Sequence, residues 1–124
     1  VRWIIDGMNV IGASPDGWWR DRHAAMVRLV HALERWAEAD DVEVTVVFEQ
    51  PPRPPIGSAV VTVAHAPAAA PDSADDEILR VIRDDDRPDD LVVVTSDRGL
   101  ADRVRCAGAT VAPPRHLRTL LQQW

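Results

Sequence analysis

Three aspartates in this chain stand where short apolar runs give way to polar residues, a placement suited to handling phosphate through a hard cation. Asp6 ends the run Trp3-Ile4-Ile5 and is followed by Gly7, Met8 and Asn9. Asp97 ends Leu91-Val92-Val93-Val94-Thr95-Ser96 with the same grammar, and Asp75 opens the helical segment just before that run. Ligands of open α/β sheets bind beyond the carboxyl ends of the strands, so Asp6 and Asp97 point at the usual place for chemistry. On the helical segment, Ile78, Leu79 and Ile82 define an apolar stripe, and at about 100° per residue Asp75 falls in the middle of it. Three carboxylates gathered in one water-accessible cleft repel one another and raise their pKa values unless a cation is present. Mg²⁺ or Mn²⁺ resolves that conflict, since such ions accept carboxylate oxygens, waters and substrate phosphate together. A bound ion of this kind activates water and stabilises an in-line phosphoryl displacement, so the expected chemistry is phosphodiester hydrolysis.

Each acid also has a plainer reading. Asp75 near a helix start serves as a dipole partner, and Asp6 or Asp97 as a helix cap or loop acid. Asn9 either orients Asp6 or a metal-bound water, or is simply a turn residue. Thr95 and Ser96 either support the site or cap the following helix. Asp76 fits a capping box with Ser73, Glu77 points to solvent, and Asp102 is a solvated position with a supporting role. Glu49 also ends an apolar run, but the Pro51-Pro52-Arg53-Pro54-Pro55 block after it gives no reason to aim it at the site.

Other chemistries lack their residues. The four histidines come no closer in sequence than the eight positions that separate His23 from His31, which fails the spacing of a zinc site. No G-x-S-x-G surrounds Ser96, and no G-x-G-x-x-G or Walker A sequence is present. All 14 basic residues are Arg, so mechanisms that need Lys, such as that of a response-regulator receiver, are removed. Met8, two residues after Asp6, breaks the Asp-x-Asp pattern of a haloacid-type phosphatase.

The elements that must position these side chains follow from periodicity. Residues 3–5 read as a buried strand ended by Gly7, and Ser14-Pro15-Asp16-Gly17 as a turn within a loop over 12–19. Helical spacing of Met26, Leu29, Val30, Leu33, Trp36 and Ala37 predicts a helix over about 21–39. Residues 43–48 form a strand that the proline block stops, and the run 59–64 a strand at or near a sheet edge. A helix runs from Asp72 or Ser73 to about Asp84. Residues 91–95, the most apolar run, are expected at the sheet centre. A helix over 99–107 capped by Gly108, a short strand over 109–112 and a last helix over 114–123 complete the chain. Alternating strands and helices imply a mainly parallel sheet in a three-layer α/β/α sandwich, with residues 1–124 as a single domain.

Composition agrees with a folded domain: 124 residues with 46% hydrophobic and 27% charged suffice for a core. No apolar run approaches the roughly 20 residues of a membrane helix and there is no signal-peptide pattern, so the expected location is cytoplasmic. The lone Cys106 is expected as a small buried hydrophobe. A net charge of −6 argues against nucleic acid until its distribution is considered. Between Asp72 and Asp90 nine acids meet three arginines, whereas from Asp97 to Trp124 two acids meet five arginines.

The segments Ile5-Asp6-Gly7-Met8-Asn9-Val10-Ile11-Gly12, Ser73-Ala74-Asp75-Asp76-Glu77-Ile78 and Val93-Val94-Thr95-Ser96-Asp97, with Ala107-Gly108-Ala109 after them, resemble the three blocks of NYN domains of the YacP-like group within the PIN-like nuclease superfamily. The resemblance spans nearly the whole chain. It implies a PIN-like fold and a metal-dependent ribonuclease, endonucleolytic and acting near the ribosome, with Asp6, Asp75 and Asp97 at the acidic positions and Asn9 as the accompanying amide. Many relatives carry a further acid where this chain has Gly99, and Asp-Gly where it has Glu49-Gln50. If single-stranded RNA is the substrate, Arg98 is the foremost phosphate contact, with Arg20, Arg22, Arg103 and Arg115 behind it. Trp18 and Trp19 either stack on unpaired bases or pack over the sheet and its loop. The rival reading is a catalytically weakened PIN-like module that binds RNA or a protein partner.

Overall fold

In the computed structural model, residues 1–13, 17–67 and 73–121 are described. The expected turn at Ser14-Pro15-Asp16, the stretch 68–72 and the chain's last three residues lie outside them. The elements in order are β1 (Arg2–Asp6), α1 (Gly7–Gly12), α2 (Arg22–Asp40), β2 (Glu43–Phe48), β3 (Thr62–His65), α3 (Ser73–Arg83), β4 (Leu91–Val94), α4 (Arg98–Cys106), β5 (Thr110–Ala112) and α5 (Pro114–Leu121). Short 3₁₀ turns occupy Trp18–Arg20 and Pro88–Asp90.

Among the described residues all four strand pairings are parallel, in the order β3-β2-β1-β4-β5. Period-two alternation sends neighbouring side chains to opposite faces, and both faces are covered. Ile5, Val46, Phe48 and Val94 pack with Leu29, Val30, Leu33 and Trp36 of α2 and Leu117 of α5. Ile4, Val47 and Val93 face Ile78, Leu79 and Ile82 of α3 and Leu100 and Val104 of α4. The result is a three-layer α/β/α sandwich, as the alternation of strands and helices in the sequence implies.

Two placements differ from expectation. β1 takes the middle of the sheet, and the apolar β4 lies beside it, interior but off-centre. A continuous apolar run reports that both faces are covered, which holds for any interior strand, so it cannot pick the middle one. After β1 the chain also enters α1 directly, where the sequence reading has a strand ended by glycine. Gly7 is needed for a different reason: a Cβ there would sit 2.6 Å from Cε1 of Phe48 and 3.1 Å from the Val47 carbonyl oxygen. The helix start is pressed against β2, and only a bare Cα fits.

The amino end of β1 is tied down at the far side from its acid. Arg2 donates from Nε to Asp90 at 2.7 Å and from Nη1 and Nη2 to Asp85 at 2.5 and 2.9 Å. The guanidinium holds Asp85 down at about 2.

Candidate functional site

Strand order creates the site. From β1 the chain moves one way through β2 to β3, then crosses back to place β4 on the other side of β1. The direction of winding therefore reverses between β1 and β4, and doubly wound sheets open a crevice beyond the strand ends at such a point. Asp6 is the last residue of β1, and Thr95, Ser96 and Asp97 follow directly on β4.

Asp6 is 6% exposed. Its Oδ2 accepts a 2.8 Å hydrogen bond from the Thr95 hydroxyl, and the Thr95 oxygen accepts the Asp97 amide at 3.1 Å. One buried hydroxyl thus links the two strand-end acids. The Asp6 carboxyl is raised to about 6, foremost by burial, with the charges of Asp75, Asp97 and Glu49 pushing the same way and the Thr95 bond opposing. Three further carboxylates are near enough to be felt at Asp6, and these include the two paired with it in the sequence reading.

Glu49 is the acid the sequence reading leaves out. β1 and β2 are in register with Asp6 opposite Val47, so Glu49, two residues on, projects from the same rim. The usable signal was its place immediately after a buried strand, the same place that marked Asp6 and Asp97; the proline block obscured it. Glu49 lies 3.6 Å from Nη1 of Arg22, and its backbone carbonyl accepts the Ser73 hydroxyl at 3.0 Å. That bond docks the start of α3, and with it Asp75, against the rim.

The supporting residues divide. Asn9 Oδ1 accepts both the amide and the hydroxyl of Ser96, at 2.8 and 2.9 Å; the side chain clamps the loop after β4 to α1. Asp97 caps α4, accepting the Leu100 amide at 3.0 Å, so the cap is the acid itself and neither Thr95 nor Ser96. Asp76 makes no capping box with Ser73: the serine hydroxyl is engaged by Glu49, and Asp76, largely exposed, faces Arg103 at 3.6 Å. Asp102 turns outward to Arg105 at 3.7 Å. Glu77 is not solvated as expected; its side chain is 11% exposed and grips Arg80 at 2.6 Å, which lowers its carboxyl pKa. Cys106 is exposed, not buried, because the core-facing side of α4 is filled by Leu100, Ala101 and Val104.

Of the arginines, Arg98 is exposed at the first turn of α4, directly after Asp97. Arg103 is drawn to Asp76, and Arg115 is exposed on α5. Trp18 is partly buried against the core, whereas Trp19 is 59% exposed. The two indoles meet edge to face at 6.1 Å; Arg20 lies 6.0 Å from the Trp19 ring and Arg22 5.3 Å from that of Trp18. The loop therefore divides its tryptophans, one packing and one offering a face to solvent.

Does this rim suit a divalent cation? Its charge does: an all-oxygen set of carboxylates around a desolvated aspartate matches a hard ion. Its arrangement does not, because among the described residues no group of three or more His, Cys, Asp or Glu side chains is disposed to hold a metal ion. Asp6 is engaged by Thr95 and Asp97 by the α4 amide, which leaves a concentration of charge without a closed set of ligands.

A family model described as the YacP-like NYN domain matches residues 3–124. Among solved structures, Rae1 (YacP) from Bacillus subtilis aligns with a TM-score of 0.80 at 21% identity, over 97% of this chain and 73% of that one. A point mutant of the same protein aligns with a TM-score of 0.79 at 22% identity, over 95% and 73%. At these identities the likeness is one of fold. No match was found among curated protein sequences. The chain belongs to the YacP-like NYN domain family of the PIN-like nuclease superfamily.

Proposed function

We propose that this domain binds single-stranded RNA across the carboxyl end of its sheet as a PIN-like module whose hydrolytic power is weakened. The observation that carries this reading is the state of the acids: burial, with the charges of Asp75, Asp97 and Glu49 adding to it, raises Asp6 to about 6, yet the described residues form no metal-holding group. Arg98 and Arg20 offer phosphate contacts, and Trp19 a face on which a base stacks. Such stacking contributes roughly 1–3 kcal/mol per base, enough to hold a strand against an acidic surface when arginines flank it.

A second reading is favoured by the same raised carboxyl. A site that concentrates Asp6, Asp75, Asp97 and Glu49 has more negative charge than it can keep without a counter-ion. On this reading Asp6, Asp75 and Asp97 would hold Mg²⁺ or Mn²⁺, and the bound ion would supply an activated water for phosphodiester hydrolysis.

One experiment separates them. Binding and cleavage of a fluorescent single-stranded RNA are measured with Mn²⁺ or EDTA, for the native chain and Asp97→Asn. Asparagine caps helices as well as aspartate, so this change removes the charge and keeps α4. The weakened module predicts binding by both proteins and little cleavage by either. Mn²⁺-dependent cleavage abolished by Asp97→Asn establishes the enzyme, and equal cleavage by both rules out the acidic rim as its centre.

A further inference from the structure

Beside the acidic rim, on the β2 side, lies a cavity of about 540 Å³ that the contacts of Arg98, Arg20 and Trp19 do not use. Its floor includes Met8 from α1, Met26 from α2 and Phe48 from the end of β2; its rim carries Arg22, Glu49 and Arg53, with the prolines that follow β2 along one wall. Small-molecule sites are concave, mostly apolar, with a few polar groups at the mouth, and of roughly 300–1,000 Å³.

We propose that this cavity is a nucleotide subsite, receiving one base of an RNA strand whose neighbouring phosphodiester lies at the acidic rim. The inference rests on the RNA reading above and names where a base goes. Three observations support it. The rim sets two arginines against one carboxylate in a chain of net charge −6, which matches a phosphate and disfavours a neutral apolar guest. Arg53 is exposed and has no ion-pair partner among the described residues, while Arg22, which also lines the cavity, lies 3.6 Å from Glu49 and 5.3 Å from the centre of the Trp18 ring. Glu49 also belongs to both places: it lines the cavity and raises the Asp6 carboxyl, so the cavity and the acids are adjoining parts of one groove. A planar base has its apolar faces for the methionines and its edge for the Glu49 carboxylate, while Arg22 and Arg53 meet the phosphate. The guanidinium is suited to that contact by its planar fork of donors.

The test is a titration of the full chain, in EDTA, with 5′-AMP, 5′-GMP, 5′-CMP and 5′-UMP, and with ribose 5-phosphate as the baseless control. The methyl signals of Met8 and Met26 are followed by NMR. The subsite predicts saturable shifts of both methyls, ribose 5-phosphate binding roughly tenfold more weakly than the best nucleotide, and several-fold weaker nucleotide binding by Arg53→Ala with an unchanged melting temperature. Methyls that do not respond, or a baseless control that binds as well as the nucleotides, overturn it. Binding of a single-stranded RNA oligomer, measured in parallel, keeps the two ideas apart. An oligomer that binds while nucleotides leave the methyls unmoved sinks the subsite alone; nucleotides that bind where no oligomer does sink the RNA-strand reading alone.

Discussion

Replacing Asp6 by Asn tests whether the buried carboxyl at the acidic rim destabilises the fold when it is charged. The native carboxyl titrates at about 6, against roughly 3.9 for an ordinary aspartate in the unfolded chain. Because the folded state holds this proton more tightly, Asp6 contributes stability that is present below about pH 4 and lost as pH rises through about 6. Above that window the folded protein carries a penalty of about 3 kcal/mol, since each pKa unit is worth roughly 1.4 kcal/mol. Asparagine is isosteric, keeps an oxygen for the Thr95 hydroxyl, and has no charge to bury. In EDTA, the stability difference between Asp6→Asn and the native protein, read from urea unfolding, should therefore grow by about 1–3 kcal/mol in favour of the variant between pH 4.5 and 7.5. A difference that stays flat with pH refutes the idea that Asp6 is desolvated and crowded. Mn²⁺ added at pH 7.5 should narrow the gap by stabilising the native protein alone if the rim accepts a cation, and equal stabilisation of both proteins would place the ion elsewhere.

Other perturbations follow from single contacts. Gly7→Ala must push a methyl into the Phe48 ring and should cost about 1–3 kcal/mol by overpacking, seen as a lower melting temperature; an unchanged value would mean that α1 shifts freely against β2. Thr95→Val removes the hydroxyl that bridges Asp6 and the Asp97 amide, so unfolding at pH 7 should show a loss of about 1–3 kcal/mol and the Asp6 carboxyl, followed by NMR, should titrate higher than in the native protein. A Cβ on Gly99 would lie 3.4 Å from Oδ1 of Asp97, within ordinary contact, so Gly99→Asp adds an acid at the rim without a clash. Calorimetry should then show tighter Mn²⁺ binding than in the native chain, and no gain would mean that the rim does not take the ion. Trp19→Ala should weaken single-stranded RNA binding about tenfold while leaving the fold intact, as judged by circular dichroism.

Local chemistry was enough to recognise most of the architecture. Residues 43–48 are rich in β-branched side chains, and they form a strand with those bounds; the stripe of Met26, Leu29, Val30, Leu33 and Trp36 forms the buried side of α2. Such patterns depend on the side chain's immediate surroundings, namely one covered face or two, and the chain carries that information in its periodicity. The three family segments were likewise legible, because residue identity at a strand end or helix start is a local property. What folding alone decided is who meets whom across the sheet. Strand order put β1 in the middle, set the reversal between β1 and β4, and brought Glu49 to the same rim as Asp6 despite the prolines behind it. It also engaged Ser73 with the Glu49 carbonyl and Asn9 with Ser96, and turned Cys106 outward. Pairings across 24 or 87 residues leave no periodic trace in sequence, because they are fixed by strand register and helix packing. The degree to which neighbouring charges raise the Asp6 carboxyl depends on their separation and on the water around them, and both come into being only when the chain has closed over its core.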